Sequence, residues 1–150
     1  MSNSSLLFFD DFVIGQIYSS PPRVVDAEMI KNFAQQYDPQ PFHLDEEVAK
    51  NSFFKGLVAS GWHTAAMTMR MIVDALPIAG GAIGAGVEQV KWPLAVRPGD
   101  ELHASIQVLE LRDSRSKPEL GLIKVQITTL NQDKVIVQDM IANLVVPKRQ

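Results

Sequence analysis

The longest apolar segment of the chain is the feature that most constrains its fold. From Gly61 to Leu76 the residues are apolar on nearly every face of a helix, and Pro77 ends the segment. A helix that is apolar all round is usually a buried one. Three polar interruptions make the segment a poor membrane span, namely His63, Arg70 and Asp74. The sequence therefore predicts a central helix that the rest of the chain covers.

The second half of the chain has the pattern of an antiparallel sheet. Apolar and polar residues alternate over 102–108, 123–127 and 140–146, with turn residues between them. The glycine-rich segment 79–86 is predicted to be a flexible connection. It is not predicted to be a dinucleotide-binding loop, because no strand precedes it and no helix follows it. A sheet wrapped around one long helix buries both, so we predict a single α+β domain over residues 1–150.

The first half of the chain predicts short elements. A short strand is expected over 12–18, after which Pro21 and Pro22 break the chain. Asp26 is a plausible N-cap for an amphipathic helix that Pro39 ends. A loop is expected over 39–44, and a second short helix from Asp45 to about residue 51.

Composition excludes several classes of function. The net charge of −3 gives no basic footprint for nucleic acid. The chain has no cysteine, which excludes disulfides and thiolate chemistry, and His43 and His63 lack the spacing of a metal site. The first eleven residues lack the basic and long apolar regions of a signal peptide. We therefore expect a cytoplasmic protein that binds neither membrane, nucleic acid nor metal.

A compact set of polar residues precedes the predicted central helix. Asp38 and His43 lie five residues apart on a proline-stiffened segment, and Gly61 opens the helix eighteen residues after the histidine. Such a set supplies an acid/base pair and a helix N-terminus that can hold a developing oxyanion. The structural alternatives are that Asp38 caps a turn, His43 packs before the next helix, and Gly61 only lets the chain enter the helix.

Three motifs resemble those of one enzyme family. The run Asp38-Pro39-Gln40-Pro41-Phe42-His43 resembles the D-x-N-P-x-H motif of MaoC-like dehydratases and (R)-specific enoyl-CoA hydratases. Residues 58–62 (V-A-S-G-W) fall where that family has I-A-H-G-M, and residues 90–100 resemble its V-R-F…V-x-P-G-D. The similarity runs from about residue 11 to residue 147. It implies a hotdog fold, usually a homodimer or higher homo-oligomer, that hydrates trans-2-enoyl-CoA.

The resemblance implies roles for individual residues. Asp38 and His43 would hold a water that attacks C3 of the enoyl thioester, with a proton delivered to C2 on the same face. The Gly61 N–H would hold the thioester oxygen, and Gln40 would position Asp38 as the motif asparagine does. The chain departs from the family at Gln40, at Ser60 in place of histidine, and at Met69, where some hydratases carry a serine.

Further residues have two interpretations each. Ser60 is a hydroxyl donor to the substrate or an N-cap, while Trp62, Phe53 and Phe54 belong to the acyl pocket or the core. His63, alone on an apolar helix, is expected to be a hydrogen-bonded core residue. The basic cluster on a polar loop either meets the CoA phosphates or is a solvated hairpin tip; it consists of Arg112, Arg115 and Lys117.

Three functions remain open at the level of sequence. The first is a hydro-lyase acting on an acyl-CoA thioester, with CoA as part of the substrate and no separate cofactor. The second is a hotdog thioesterase, in which water attacks the thioester carbon. The third is a non-catalytic acyl-CoA binder. The spacing of Asp38 and His43 favours hydration, because thioesterases of this fold typically place their carboxylate on or near the central helix.

Overall fold

A computed structural model describes residues 5–150. A 3₁₀ helix, Phe9–Asp11, precedes the other elements. The helices are α1 (Ala27–Tyr37), α2 (Pro41–Leu44), α3 (Glu46–Ala49) and α4 (Gly61–Ala75). The strands are β1 (Ile17–Ser19), β2 (Arg23–Val24), β3 (Ile83–Lys91), β4 (Glu101–Asp113), β5 (Leu120–Leu130) and β6 (Ile136–Pro147).

The strands form one antiparallel sheet around α4. Their order is β1-β4-β5-β6-β3, and β2 pairs with the start of β4. Alternate residues of β4, β5 and β6 point to the helix side and are buried, as period-two strands require. The helix packs against β4 and β6. This arrangement confirms the predicted α+β hotdog fold.

Strand β3 is an element that the sequence analysis missed. The segment 79–86, predicted to be a flexible connection, already enters the sheet at Ile83. Glycines obscured the strand pattern, and the pairing with β6 shifts register between Gly84 and Gly86. The strand expected over 12–18 was also placed wrongly, since only Ile17–Ser19 pairs with β4. β3 lies at one edge of the sheet.

The prediction that α4 is buried on every side was wrong. One face is exposed, with Met69 50% and Val73 60% accessible. The face against the sheet buries Met71 and Ile72 together with three polar residues, which are His63, Thr64 and Thr68. One sheet covers only one side of a helix, so an apolar stripe on the other side stays open. None of the helices in residues 5–150 is long and apolar enough to cross a bilayer.

The short helices before α4 begin largely where the sequence predicts. The Asp26 carboxylate accepts the Met29 N–H at 2.8 Å, which caps α1. Asp45 in the same way accepts the Glu47 N–H at 2.8 Å at the start of α3. The predicted loop between them contains the single turn α2, which Pro41 opens at a position where its missing N–H costs nothing. These turns hold Asp38 and His43 beside the start of α4.

Candidate active site

Asp38 and His43 lie close together because α1 ends and α2 begins within a few residues of each other. Asp38 is the C-cap of α1, and its N–H is bonded to the Ala34 carbonyl at 2.9 Å. His43 lies on α2, whose first turn begins three residues after Asp38. The Oδ2 atom of Asp38 is 3.3 Å from the Nε2 atom of His43. The carboxylate and the imidazole therefore form a direct pair.

A hydrogen bond to the backbone fixes the orientation of the His43 ring. The Nδ1 atom lies 2.7 Å from the carbonyl oxygen of Val58, and the ring is buried. A carbonyl oxygen can only accept, so Nδ1 carries a hydrogen and donates it. The Nε2 atom is then the one that faces Asp38 across the 3.3 Å contact. Both side chains line the same cavity, where they present an acid/base pair.

Asp38 is kept ionised by its neighbours. Partial burial raises the pKa of its carboxyl, but hydrogen bonds from Ser60 and Gln40 and the charge of His43 together lower the pKa below its ordinary value. The Nε2 group of Gln40 donates to Oδ1 of Asp38 at 2.6 Å. The longer side chain of Gln40 is therefore accommodated, and it orients the carboxylate.

The start of α4 adds hydrogen-bond donors to the site. Ser60 is the N-cap and its Oγ accepts the Trp62 N–H at 3.2 Å, while its carbonyl accepts the N–H groups of His63 and Thr64. The Gly61 N–H is a first-turn donor that these bonds do not use. Ser60 thus acts as the N-cap, and its hydroxyl is among the groups that lower the pKa of Asp38.

A cavity of about 300 Å³ brings these groups together. Asp38, Gln40, His43 and Gly61 line its polar side. The remaining wall is mostly apolar and consists of Phe42, Phe54, Ala59, Trp62, Thr64, Trp92, Leu94, Ala95 and Val96. Sequence reasoning did not single out Trp92, Leu94 or Thr64 as cavity residues. The only signal for Trp92 was its place in the V-K-W run that resembles a family motif.

Several residues that the sequence proposed lie elsewhere. Arg112 lines a separate polar groove on the sheet, near Glu110 and Lys124. Arg112 pairs with Leu122, which in turn pairs with Val145 of β6. The cavity residue Trp92 instead follows Lys91, which pairs with Asp139 of β6, and six residues of strand separate Asp139 from Val145 by roughly 20 Å. Arg115 and Lys117 follow in the β4–β5 hairpin. Within one chain, the cluster Arg112, Arg115 and Lys117 is therefore not brought to the cavity.

Two further residues differ from their expected surroundings. Phe53 is 91% exposed and belongs to neither the pocket nor the core, whereas its neighbour Phe54 lines the cavity. His63 is buried and stacked on Phe33 with ring centroids 4.7 Å apart. Within residues 5–150 its Nδ1 atom has no hydrogen-bond partner, contrary to the expectation for a core histidine. Burial, and then the charge of His43, lower the pKa of His63.

Carboxylates and imidazoles in this region do not assemble a metal site. Across the part of the chain that the structure describes, no three histidine, aspartate or glutamate side chains come together in a metal-binding group. The arrangement can instead exchange protons with a substrate through Asp38 and His43. It can also stabilise a negative oxygen at the start of α4.

The fold and site define a class: a hotdog domain with an aspartate–histidine pair at the N-terminus of its central helix. Residues 11–131 match the MaoC like domain, and the chain belongs to this family. The solved structure of a MaoC-like dehydratase from Rhodospirillum rubrum is 49% identical in sequence, superposes with a TM-score of 0.92, and covers 96% of this chain and 99% of its own.

Two curated proteins are also similar in sequence. The uncharacterized protein YdeM of Bacillus subtilis is 35% identical over 128 residues, which are 84% of this chain and 89% of that protein. An (R)-specific enoyl-CoA hydratase of Rhodospirillum rubrum is 26% identical over 144 residues, which are 96% of this chain and 94% of the relative. The more similar of these two proteins therefore has no assigned activity.

Proposed function

We propose that this protein is a hydro-lyase that adds water to a trans-2-enoyl-CoA thioester. The observation that carries the proposal is the 3.3 Å contact between Asp38 Oδ2 and His43 Nε2 in one cavity with Gly61. Hydration of a conjugated thioester requires one group that accepts a proton, one that donates a proton and one that stabilises an oxyanion. The name of the (R)-specific enoyl-CoA hydratase among the relatives supports the same activity.

The proposed proton steps use the two side chains of the pair in turn. A water in the cavity donates to the Asp38 carboxylate and accepts from the Nε2–H of His43. As its oxygen bonds to C3, its proton passes to Asp38, and the electrons of the C2–C3 double bond move onto the thioester oxygen. His43 then gives its Nε2 proton to C2 as the carbonyl re-forms. Because both groups are adjacent, the two additions occur on one face of the double bond.

The function proposed for Gly61 is to stabilise the negative charge that develops on the thioester oxygen. Its N–H is at the first turn of a fifteen-residue helix, so the helix dipole adds to the hydrogen bond. Charge gathers on the thioester oxygen only in the transition state and the enolate, so this donor favours them over the bound substrate.

The pair also supports return to the starting state. After one turnover Asp38 carries the proton taken from water, and the Nε2 atom of His43 lacks one. Transfer across the direct contact between these atoms restores both groups. The Nδ1–H of His43 stays bonded to Val58 throughout, which keeps the ring in one orientation.

The test is turnover of a panel of trans-2-enoyl-CoA thioesters, with conjugated-thioester absorbance and free thiol followed together. Absorbance loss without thiol release is expected. Asp38→Asn and His43→Gln should each lower kcat by about 10²–10⁴-fold, since both keep the shape but remove proton exchange. Asp45→Asn, which keeps the N-cap of α3 and lies outside the cavity, is the matched control.

The other outcomes identify the competing functions. Thiol release without hydration would make the protein a thioesterase, and binding of an acyl-CoA without either reaction would make it a binder. Near wild-type turnover in Asp38→Asn or His43→Gln would refute the assigned proton steps even if hydration is observed.

We also propose that the protein assembles as a homodimer through strand β3. This nine-residue strand is at a sheet edge, and Ile83 and Val87 on it are exposed. Gly84 of the same strand lines a groove with Met69 and Val73 of α4. An unpaired edge with apolar neighbours is a template for pairing, and two copies related by a two-fold axis satisfy both edges. Solution scattering should give a dimer, and Val87→Lys should weaken it. A monodisperse monomer at micromolar concentration would contradict the proposal.

A further inference from the structure

The indole of Trp92 is held on three sides. Its Nε1–H donates to the Oε1 atom of Gln138 at 2.8 Å, and Gln138 is completely buried on β6. Its ring lies against the α-carbon of Gly61, where a methyl group would be 2.7 Å from Cδ2. The edge of Trp62 packs against it at 5.2 Å between ring centroids. Trp92 is 39% exposed, but these contacts hold its ring in the cavity wall.

This wall stands next to the atoms that react. In the proposed function the thioester oxygen binds the Gly61 N–H and C3 faces Asp38 and His43. Carbonyl carbon and C3 are separated by two bonds, which is about 2.5 Å at ordinary bond lengths. With the hydrogen bond and the carbonyl bond added, the first acyl carbon beyond C3 lies within roughly 8 Å of the Gly61 nitrogen. Trp92 already packs on that glycine.

We propose that Trp92 is the specificity-determining residue of this cavity and restricts the enzyme to short acyl chains of about four carbons. The proposal rests on the proposed hydration of enoyl-CoA and names its substrate class. The cavity of about 300 Å³ is open on one side, where the pantetheine arm enters, so the acyl chain has to fit against the wall that Trp92 forms. A longer chain has to displace an indole that Gly61, Trp62 and Gln138 hold in place.

Gln138 is the positioning residue in this arrangement. The indole N–H is a donor that needs an acceptor when it is partly buried, and the Gln138 side chain supplies it. Among residues 5–150 the Nε2 group of Gln138 has no partner, so the hydrogen bond that its side chain makes there is the one from the Trp92 indole. Without the amide oxygen the ring can tilt, and the cavity should then admit longer chains without a change in the proton-transfer groups.

The experiment compares wild type, Trp92→Ala, Trp92→Phe and Gln138→Leu on trans-2-enoyl-CoA thioesters of four, eight and twelve carbons. In wild type, kcat/KM for four carbons should exceed that for eight by at least ~10-fold, since each misfitted methylene commonly changes the rate ~10–200-fold. Trp92→Ala should raise the eight-to-four ratio at least ~10-fold, with Trp92→Phe and Gln138→Leu in between. Ile14→Ala, which alters a 62% exposed side chain outside the cavity, should leave the ratio unchanged.

A second measurement separates this inference from the proposed reaction. Calorimetric binding of saturated butyryl-CoA and dodecanoyl-CoA measures which chain length the cavity accepts without any turnover. If the wild-type protein hydrates no enoyl-CoA but binds butyryl-CoA more tightly than dodecanoyl-CoA, the proposed reaction is refuted and the role of Trp92 in chain-length selection is supported. If the wild-type protein hydrates the four-carbon and twelve-carbon thioesters equally well, the role of Trp92 in chain-length selection is refuted and the proposed reaction is supported.

Folding of the variants is controlled by thermal unfolding at equal protein concentration. If Trp92→Ala does not fold, Trp92→Phe and Gln138→Leu carry the test, because both keep most of the wall volume. An unchanged chain-length ratio in these two folded variants, together with unchanged relative binding of the two saturated thioesters, would overturn the proposal.

Discussion

A methyl group added at Gly61 should meet the ring of Trp92 before it meets any substrate. The new Cβ would lie 2.7 Å from Cδ2 and Cε2 and 3.0 Å from Cε3. Carbon atoms in contact are normally about 3.5–4.0 Å apart, so the ring or the start of α4 has to move by roughly 1 Å. The three atoms belong to one rigid ring whose N–H is bonded to Gln138, so no simple rotation relieves the contact.

The cost of Gly61→Ala follows from two opposed terms. Overpacking of this kind typically costs about 1–3 kcal/mol. The better helix propensity of alanine returns at most about 1 kcal/mol, and less at a first-turn position. We expect a net loss of about 1–2 kcal/mol in the free energy of unfolding. In a Trp92→Ala background the methyl has space, so the same substitution should be neutral or slightly stabilising there.

Urea denaturation of the four proteins of this double-mutant cycle measures the coupling. The expected coupling energy is about 1–3 kcal/mol, and it requires equal m-values and one protein concentration throughout. Additive costs would refute the packing explanation. Gly61→Val, with its larger branched side chain, should cost more than Gly61→Ala in the Trp92 background.

Kinetics of the same four proteins test the oxyanion donor separately. Displacement of the Gly61 N–H should lower kcat more than it raises KM, with a loss of up to about 3 kcal/mol in transition-state stabilisation. Relief of the clash in the double variant should recover part of kcat. A raised KM with unchanged kcat would mean that Gly61 shapes the cavity without stabilising the enolate.

Three other predictions concern protonation and capping. The pKa of His63 is lower in the folded than in the unfolded protein, so stability should fall as the pH drops below 6.5, and His63→Phe should remove that slope in thermal scans; an unchanged slope contradicts this. The pKa of Asp38 is also lowered, so the stability its ionisation contributes should be present above pH 3.8 and lost only below it; Asp38→Asn should abolish that acid loss. Ser60→Ala should cost about 1 kcal/mol through the lost N-cap and raise the pKa of Asp38, so that the acid limb of kcat/KM moves to higher pH; an acid limb that does not move would refute the effect of Ser60 on Asp38.

Much of the fold could be predicted because local patterns agreed with the final packing. The alternation in β4, β5 and β6 became the buried and exposed faces of the sheet, and Asp26 and Asp45 cap the helices that they precede. Strand β3 was missed because its glycines and its register shifts remove the period-two signal. An edge strand with one neighbour also needs less regular patterning than a central one.

The exposed face of α4 shows the limit of composition as a guide to burial. Helical apolarity indicated that the segment is central, which is correct, but it did not reveal which side faces the sheet. The chain buries Thr68 against Thr129, with their hydroxyls 2.7 Å apart, and leaves Met69 and Val73 open. A polar pair inside and an apolar stripe outside are explained if a second copy covers the stripe, which is the dimer proposed above.

The candidate site divides in the same way between local and long-range information. Asp38, Gln40 and His43 are close in sequence, so a short motif is enough to predict that they lie together. The sequence could place Gly61 at a helix N-terminus, but it could not predict which residue packs on it. Trp92 reaches Gly61 only through the topology of the sheet. Trp92 directly follows Lys91, and Lys91 pairs with Asp139, next to Gln138. The sequence explains Gly61 by the close approach of a substrate, but in the structure the indole of Trp92 already requires a glycine there. The space left for the acyl group therefore depends on the contact between Gly61 and Trp92.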